Sequence, residues 1–127
     1  MQVTVMIVDD SKLARIVAAR ALAVLQPDWE RVEAASAAEA HKIVKDQRID
    51  VALIDFNMAE KDGLSLAAEL RGTHPDLPIA IVTANLQDEI VNRARALDAA
   101  FVAKPVTADG LEPFITGTAL RLRVKSS

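Results

Sequence analysis

Five polar side chains of three chemical types stand directly behind runs of apolar residues. Asp9 and Asp10 follow "VTVMIV" (3–8), Asp55 follows "VALI" (51–54), Thr83 follows "IAIV" (79–82) and Lys104 follows "AFVA" (100–103). Each has an ordinary explanation alone. Asp10 or Ser11 can cap the helix that comes next, Asp55 can open a loop, Thr83 can bond the backbone, and Lys104 can lie in solvent. Together they are a chemical set. Carboxylates held ~4 Å apart repel by about 4 kcal/mol per pair at an effective dielectric near 20, so such a cluster calls for a cation, shared protons, or both. Oxygen ligands without His or Cys suit a hard divalent ion, Mg²⁺ above all. Mg²⁺ commonly holds one or two carboxylates, several waters and a phosphate, and a phosphoryl group gives every member a use. One carboxylate can be the nucleophile, the metal and the lysine can neutralise phosphoryl oxygens in the transition state, and the hydroxyl can donate to a third oxygen. Asp55 stands alone on its strand and is the candidate nucleophile, which leaves Asp9 and Asp10 as the metal pair.

These residues converge only if the elements before them run side by side. The apolar runs at 3–8, 51–54, 79–82 and 100–103 read as strands, and "RVEAA" (31–35) as a weaker one. Between them lie helical patterns. Over 12–25, Leu13, Ile16, Val17, Ala21 and Val24 form an apolar stripe. "SAAE" (36–39) is a capping box ahead of Ala40, Ile43 and Val44. Asp62 caps a helix over 64–71, and Asn85 caps one whose stripe is Leu86, Ile90, Ala94 and Leu97. The last helix falls between 111 and 123, where Pro113 is either its first residue or a kink, with Gly110 and Gly117 weakening it. Strands apolar on both faces mean a parallel sheet covered on two sides, and right-handed crossovers leave few topologies. The pattern predicts an α/β, flavodoxin-like (βα)5 doubly wound sheet of order 2-1-3-4-5. In such a sheet the carboxyl ends of the strands form the ligand rim.

Composition bounds the rest. A chain of 127 residues, 51% hydrophobic, suits one domain over 1–127 with a real core. There is no cysteine, so thiolate chemistry and disulfides are excluded; the expected location is the cytoplasm. A net charge of −3 does not point to nucleic acid, and no apolar run approaches a membrane span or a secretory signal. Residues 123–127 read as a short basic tail following a helix whose end carries Arg121, with Arg123 and Lys125 in the tail.

At these residues the sequence resembles the receiver domains of bacterial two-component response regulators, most of all the stand-alone chemotaxis type. The resemblance covers roughly 3–122 and rests on "VDDS" (8–11), "LIDFNM" (53–58), "KDG" (61–63), "IVTA" (81–84) and "AFVAKP" (100–105) in that order. It implies a phosphorylation switch, not an enzyme beyond its own phosphorylation and dephosphorylation. Asp55 would accept a phosphoryl group from a histidine kinase or a histidine phosphotransfer protein. Asp10 would bind Mg²⁺ directly and Asp9 through water, with the backbone carbonyl of Asn57 completing the protein ligands beside Asp55. Thr83 and Lys104 would hold phosphoryl oxygens, and Pro105 would form a structural turn through a cis bond. Phe101 would be the switch aromatic, turning inward as Thr83 moves and repacking the face made by helix four, strand five and helix five. The signal would pass to a separate downstream protein, with homodimerisation left open.

The chain departs from the family pattern in the loop after Asp55, where "MAEKDG" has Ala59 for a proline and Lys61 for a methionine. Those changes are expected to loosen the loop and add a charge at the site mouth. Two other readings use the same residues. A haloacid-dehalogenase-type phosphatase would need its nucleophile pair after the first strand and its metal acids last, the reverse of this order. A phosphorylation-independent receiver-fold binding module would not need the full site set.

Overall fold

The computed structural model describes residues 2–85 and 87–126. Its elements alternate: β1 (Thr4–Val8), α1 (Lys12–Leu25), β2 (Glu30–Ala34), α2 (Ala37–Asp46), β3 (Val51–Asp55), α3 (Gly63–Thr73), β4 (Ile79–Thr83), α4 (Asp88–Ala96), β5 (Ala100–Ala103) and α5 (Ala108–Ser126). All four strand pairings are parallel, in the order β2-β1-β3-β4-β5. The flavodoxin-like (βα)5 architecture expected from the apolar pattern is the one found.

The side-chain period of two splits each central strand between two cores. Ala52, Ile54, Ile79 and Ile81 pack with α2, α3 and α4, whereas Val51, Leu53, Ala80 and Val82 pack with α1 and α5. Both sets are buried, so these strands show no polar alternation in the sequence. Asp55 ends β3 in the same alternation, and the rim residues follow from that register.

Three helices differ from the sequence reading. In α1 the buried residues are Ala18, Ala21 and Leu22, while Leu13 is 70% and Val24 73% exposed. The inward face is turned by one residue, about 100°, from the expected stripe. This helix is apolar nearly all round, so periodicity alone does not set its rotation. In α4 the N-cap is Gln87, which makes no side-chain cap bond. Asn85 instead accepts from the Gln87 amide at 3.1 Å, as an isolated turn. Ile90 and Ala94 are buried as expected, with Leu97 packed against the core; Leu86 lies outside the described residues.

The third is α5, which starts at 108 and runs through Pro113. Thr107 caps it, accepting from the Gly110 amide at 3.0 Å. The helix tolerates an interior proline because Leu111, Ile115, Thr118 and Leu122 form a buried face at spacings of four, three and four residues. Pro113 itself faces solvent. Of the expected basic tail, residues 123–126 continue this helix; Ser127 and the Lys125 side chain lie outside the described residues.

Arg71 joins the ends of α3 and α4. Its guanidinium donates to the carbonyls of Leu97 at 2.9 Å, Pro75 at 3.0 Å and Leu77 at 2.6 Å. These bonds fix the turn through Asp98, which has φ 54, and so the point where β5 begins.

Candidate functional site

The carboxyl ends of β1, β3, β4 and β5 bring Asp9, Asp10, Asp55, Thr83 and Lys104 to one rim. Asp9 is 5% exposed. Its Oδ1 accepts from the Ser11 amide at 2.9 Å, and its backbone carbonyl accepts from Arg15 at 2.7 Å. Arg15 is held in turn by Glu33 on β2, 2.8 Å away. Ser11 caps α1 by accepting from the Ala14 amide, so the capping role falls to the serine and leaves both aspartates at the rim. Asp10 is exposed, and its Oδ2 accepts from the Ala59 amide at 3.1 Å.

Asp55 is 3% exposed at the end of β3. Lys104 Nζ lies 2.5 Å from its Oδ1 and 3.8 Å from Asp9 Oδ2. Oδ1 is buried, and the ammonium beside it balances its charge. The contact is therefore a charge pair. Burial is the main cause that pushes the Asp55 carboxyl above its usual range; Lys104 opposes it, and Asp9 and Asp10 add to it. Lys104 shows the other side of the pair. Partial burial pulls it down, but Asp55, then Asp9 and Asp10, lift it above its ordinary value.

One oxygen from each of Asp9, Asp10 and Asp55 lies within 4.8 Å of the others. Three carboxylates facing a single lysine are a charge-deficient arrangement, and an all-oxygen donor set fits Mg²⁺ and its waters. Asn57 is exposed in the loop after β3. Thr83 is 1% exposed at the end of β4, and its hydroxyl donates to the Asn85 carbonyl at 3.2 Å and accepts from the Asn85 amide at 3.0 Å. In this state it serves the backbone. Lys104 is tied to the same strand, its amide donating to the Thr83 carbonyl at 3.1 Å, and the Lys104–Pro105 bond is cis. Phe101 is half-buried opposite Ile81 and packs on the core shared with α4.

Two features of the loop were not foreseen. Lys61 lies near the site mouth, in one notch with Asp10, but its ammonium pairs with Glu69 on α3. Gly63 is the other. A Cβ there would stand 2.2 Å from the Asp55 carbonyl oxygen, and the Gly63 amide donates to the Phe56 carbonyl at 2.8 Å. Only glycine lets α3 start this close to the end of β3. The "KDG" motif carried that signal, since Asp62 caps α3 by accepting from the Ser65 amide at 2.7 Å and Gly63 follows at once. Gly63→Ala is expected to cost at least about 1–3 kcal/mol through overpacking against backbone, read by urea denaturation, with amide shifts centred on residues 55–59.

The fold and the sequence match known proteins. The sequence model of the response regulator receiver domain matches residues 5–116. The response regulator MprA of Mycobacterium tuberculosis is 33% identical over 115 residues, covering 87% of this chain and 48% of MprA. The chain thus spans about half the length of that curated relative. Among solved structures, the chemotaxis protein CheY4 of Vibrio cholerae superposes with a TM-score of 0.83 at 24% identity, covering 93% of this chain and 99% of that one. A CheY-like receiver domain protein from Methanospirillum hungatei gives 0.85 at 22%, covering all of both chains. With that sequence model matching residues 5–116, most of its length, the chain belongs to the response regulator receiver domains.

Proposed function

We propose that the chain is a phosphorylation-activated switch whose phosphoacceptor is Asp55. The observation that carries this is the buried Asp55 carboxylate, with one oxygen 2.5 Å from Lys104 Nζ and the Asp9 and Asp10 carboxylates beside it. A carboxylate oxygen of Asp55 attacks the phosphorus of a phosphohistidine on a histidine kinase or phosphotransfer protein. A P–O bond forms, the P–N bond breaks, and its electron pair leaves with the imidazole. Lys104 faces the phosphoryl oxygens as charge develops on them. Asp10, Asp9 through water, Asp55 and the Asn57 carbonyl are the residues that would hold Mg²⁺, which supplies further neutralisation of those oxygens.

The signal then travels along the strand ends. To donate to a phosphoryl oxygen the Thr83 hydroxyl gives up its two bonds to Asn85, loosening the segment ahead of α4, whose N-cap has no side-chain bond to resist. Phe101, packed between β4 and α4, follows inward. A downstream protein reads the altered face of α4, β5 and α5. Among the described residues no helix is long and apolar enough to cross a membrane.

Capture of partners with and without a phosphodonor tests this reading. A protein retained by the phosphorylated chain and lost with Asp55→Ala supports it; equal capture by both would favour a binding module that ignores phosphorylation. The metal role has its own check. Asp10→Ala removes an exposed side chain whose one hydrogen bond is to the Ala59 amide, so stability should change by no more than about 0.5 kcal/mol. Mg²⁺ affinity, measured by calorimetry, should fall at least about tenfold; an unchanged titration would refute the ligand assignment.

A further inference from the structure

The loop after Asp55 carries a second cation that the proposed chemistry does not use. Lys61 stands two residues after Ala59, whose amide bonds Asp10. Lys61 and Asp10 line the same notch, about 290 Å³, together with Ser36 and Met58. Yet the ammonium is drawn to Glu69 Oε2 on α3. Glu69 is gripped from the other side as well, since His41 Nε2 on α2 lies 2.7 Å from its Oε1. The nearby Asp62 is occupied by the α3 cap and by Arg93, 3.7 Å away. Lys61 above all, and His41 after it, hold the Glu69 carboxyl below its usual range.

An exposed pair of this kind adds little to stability. Its effect is on where the charge sits. Lys104 already offsets one of the three negative charges at the rim. A second ammonium in the notch beside Asp10 would offset another, and the site would attract a divalent cation less. We infer that Glu69 is a positioning residue for the metal site: it holds Lys61 against α3, so that this lysine does not compete with Mg²⁺ for Asp9 and Asp10. The inference rests on the Mg²⁺ reading above and adds to it a residue outside the rim.

Mg²⁺ titrations of the unphosphorylated chain at low salt test it, with wild type, Glu69→Gln, Lys61→Met and the double variant compared by calorimetry. Moving a unit charge by several ångströms in a high dielectric changes divalent affinity roughly three- to tenfold. Glu69→Gln is expected to weaken binding by that factor, and the loss should shrink as salt is raised. Lys61→Met should bind Mg²⁺ as tightly as wild type or more tightly, and should restore affinity when combined with Glu69→Gln. Unchanged affinity in Glu69→Gln, or a loss that persists in the double variant, overturns the positioning role while the metal site stands. A wild-type chain that gives no Mg²⁺ binding overturns the metal reading and this inference with it.

Discussion

Asp55→Asn is expected to take up no phosphoryl group from acetyl phosphate in Mg²⁺, under conditions where the wild-type chain should gain the mass of one. The amide keeps the shape of the side chain but has no anionic oxygen to attack phosphorus, and no other carboxylate at the rim is placed to replace it. Asp9 has one oxygen bonded to the Ser11 amide and Asp10 one bonded to the Ala59 amide, and Lys104 Nζ stands 2.5 Å from Asp55 Oδ1 against 3.8 Å from Asp9 Oδ2. The loss should not be a folding defect. Burial, Asp9 and Asp10 all disfavour the ionised Asp55. An acid whose folded pKa is raised binds more protons folded than unfolded, so its contribution declines as pH rises from the unfolded carboxylate value, about 3.9, through the raised folded value. Above the raised folded value that cost is fully present in the wild type and absent from the asparagine. Thermal melting at pH 7 should therefore place Asp55→Asn no lower than wild type. Retained labelling would show that another residue accepts the phosphoryl group.

Lys104→Ala has the opposite effect on the apo chain. It leaves Asp55, 3% exposed, without the ammonium 2.5 Å away. Breaking a buried charge pair costs about 3–5 kcal/mol; Lys104 is 32% exposed and its partner can take up a proton, so about 1–3 kcal/mol is expected at pH 7. Without the lysine, the Asp55 carboxyl rises further above its usual range, and the deficit should shrink as pH falls through that higher value. Mg²⁺ should recover part of it, because a ligand bound only by the folded chain adds about 2.7 kcal/mol at a hundred times its dissociation constant. Urea denaturation at two pH values, with and without Mg²⁺, separates these contributions. Phosphorylation, where it still occurs in this variant, should no longer move Thr83.

Most of the fold was readable because strands buried on both faces are continuous apolar runs, and each ended in a polar residue at the rim. The rim set could be named from those endings alone. What was hidden lay where local pattern is ambiguous. The rotation of α1 was not encoded in a helix apolar on nearly every side. The start of α5 was masked by Pro113, although Thr107 and the spacing of Leu111, Ile115 and Leu122 were present. The partners that position the site were hidden for another reason. Arg15 on the Asp9 carbonyl, Gly63 against β3 and Lys61 on Glu69 join residues that only the folded chain brings together. Thr83 ends β4 where the pattern puts it, but its bonds to Asn85 are local backbone contacts that no sequence pattern marks.

Beryllofluoride mimics a phosphoryl group on an aspartate, and its effect on backbone amide shifts tests the switch most directly. With Mg²⁺ present, shifts are predicted at Asp55, at Thr83 and Asn85, at Phe101, and along α4 and the facing side of α5; they should vanish without Mg²⁺ and in Asp55→Asn. Shifts confined to the rim, with Phe101 and α4 unmoved, would contradict the account.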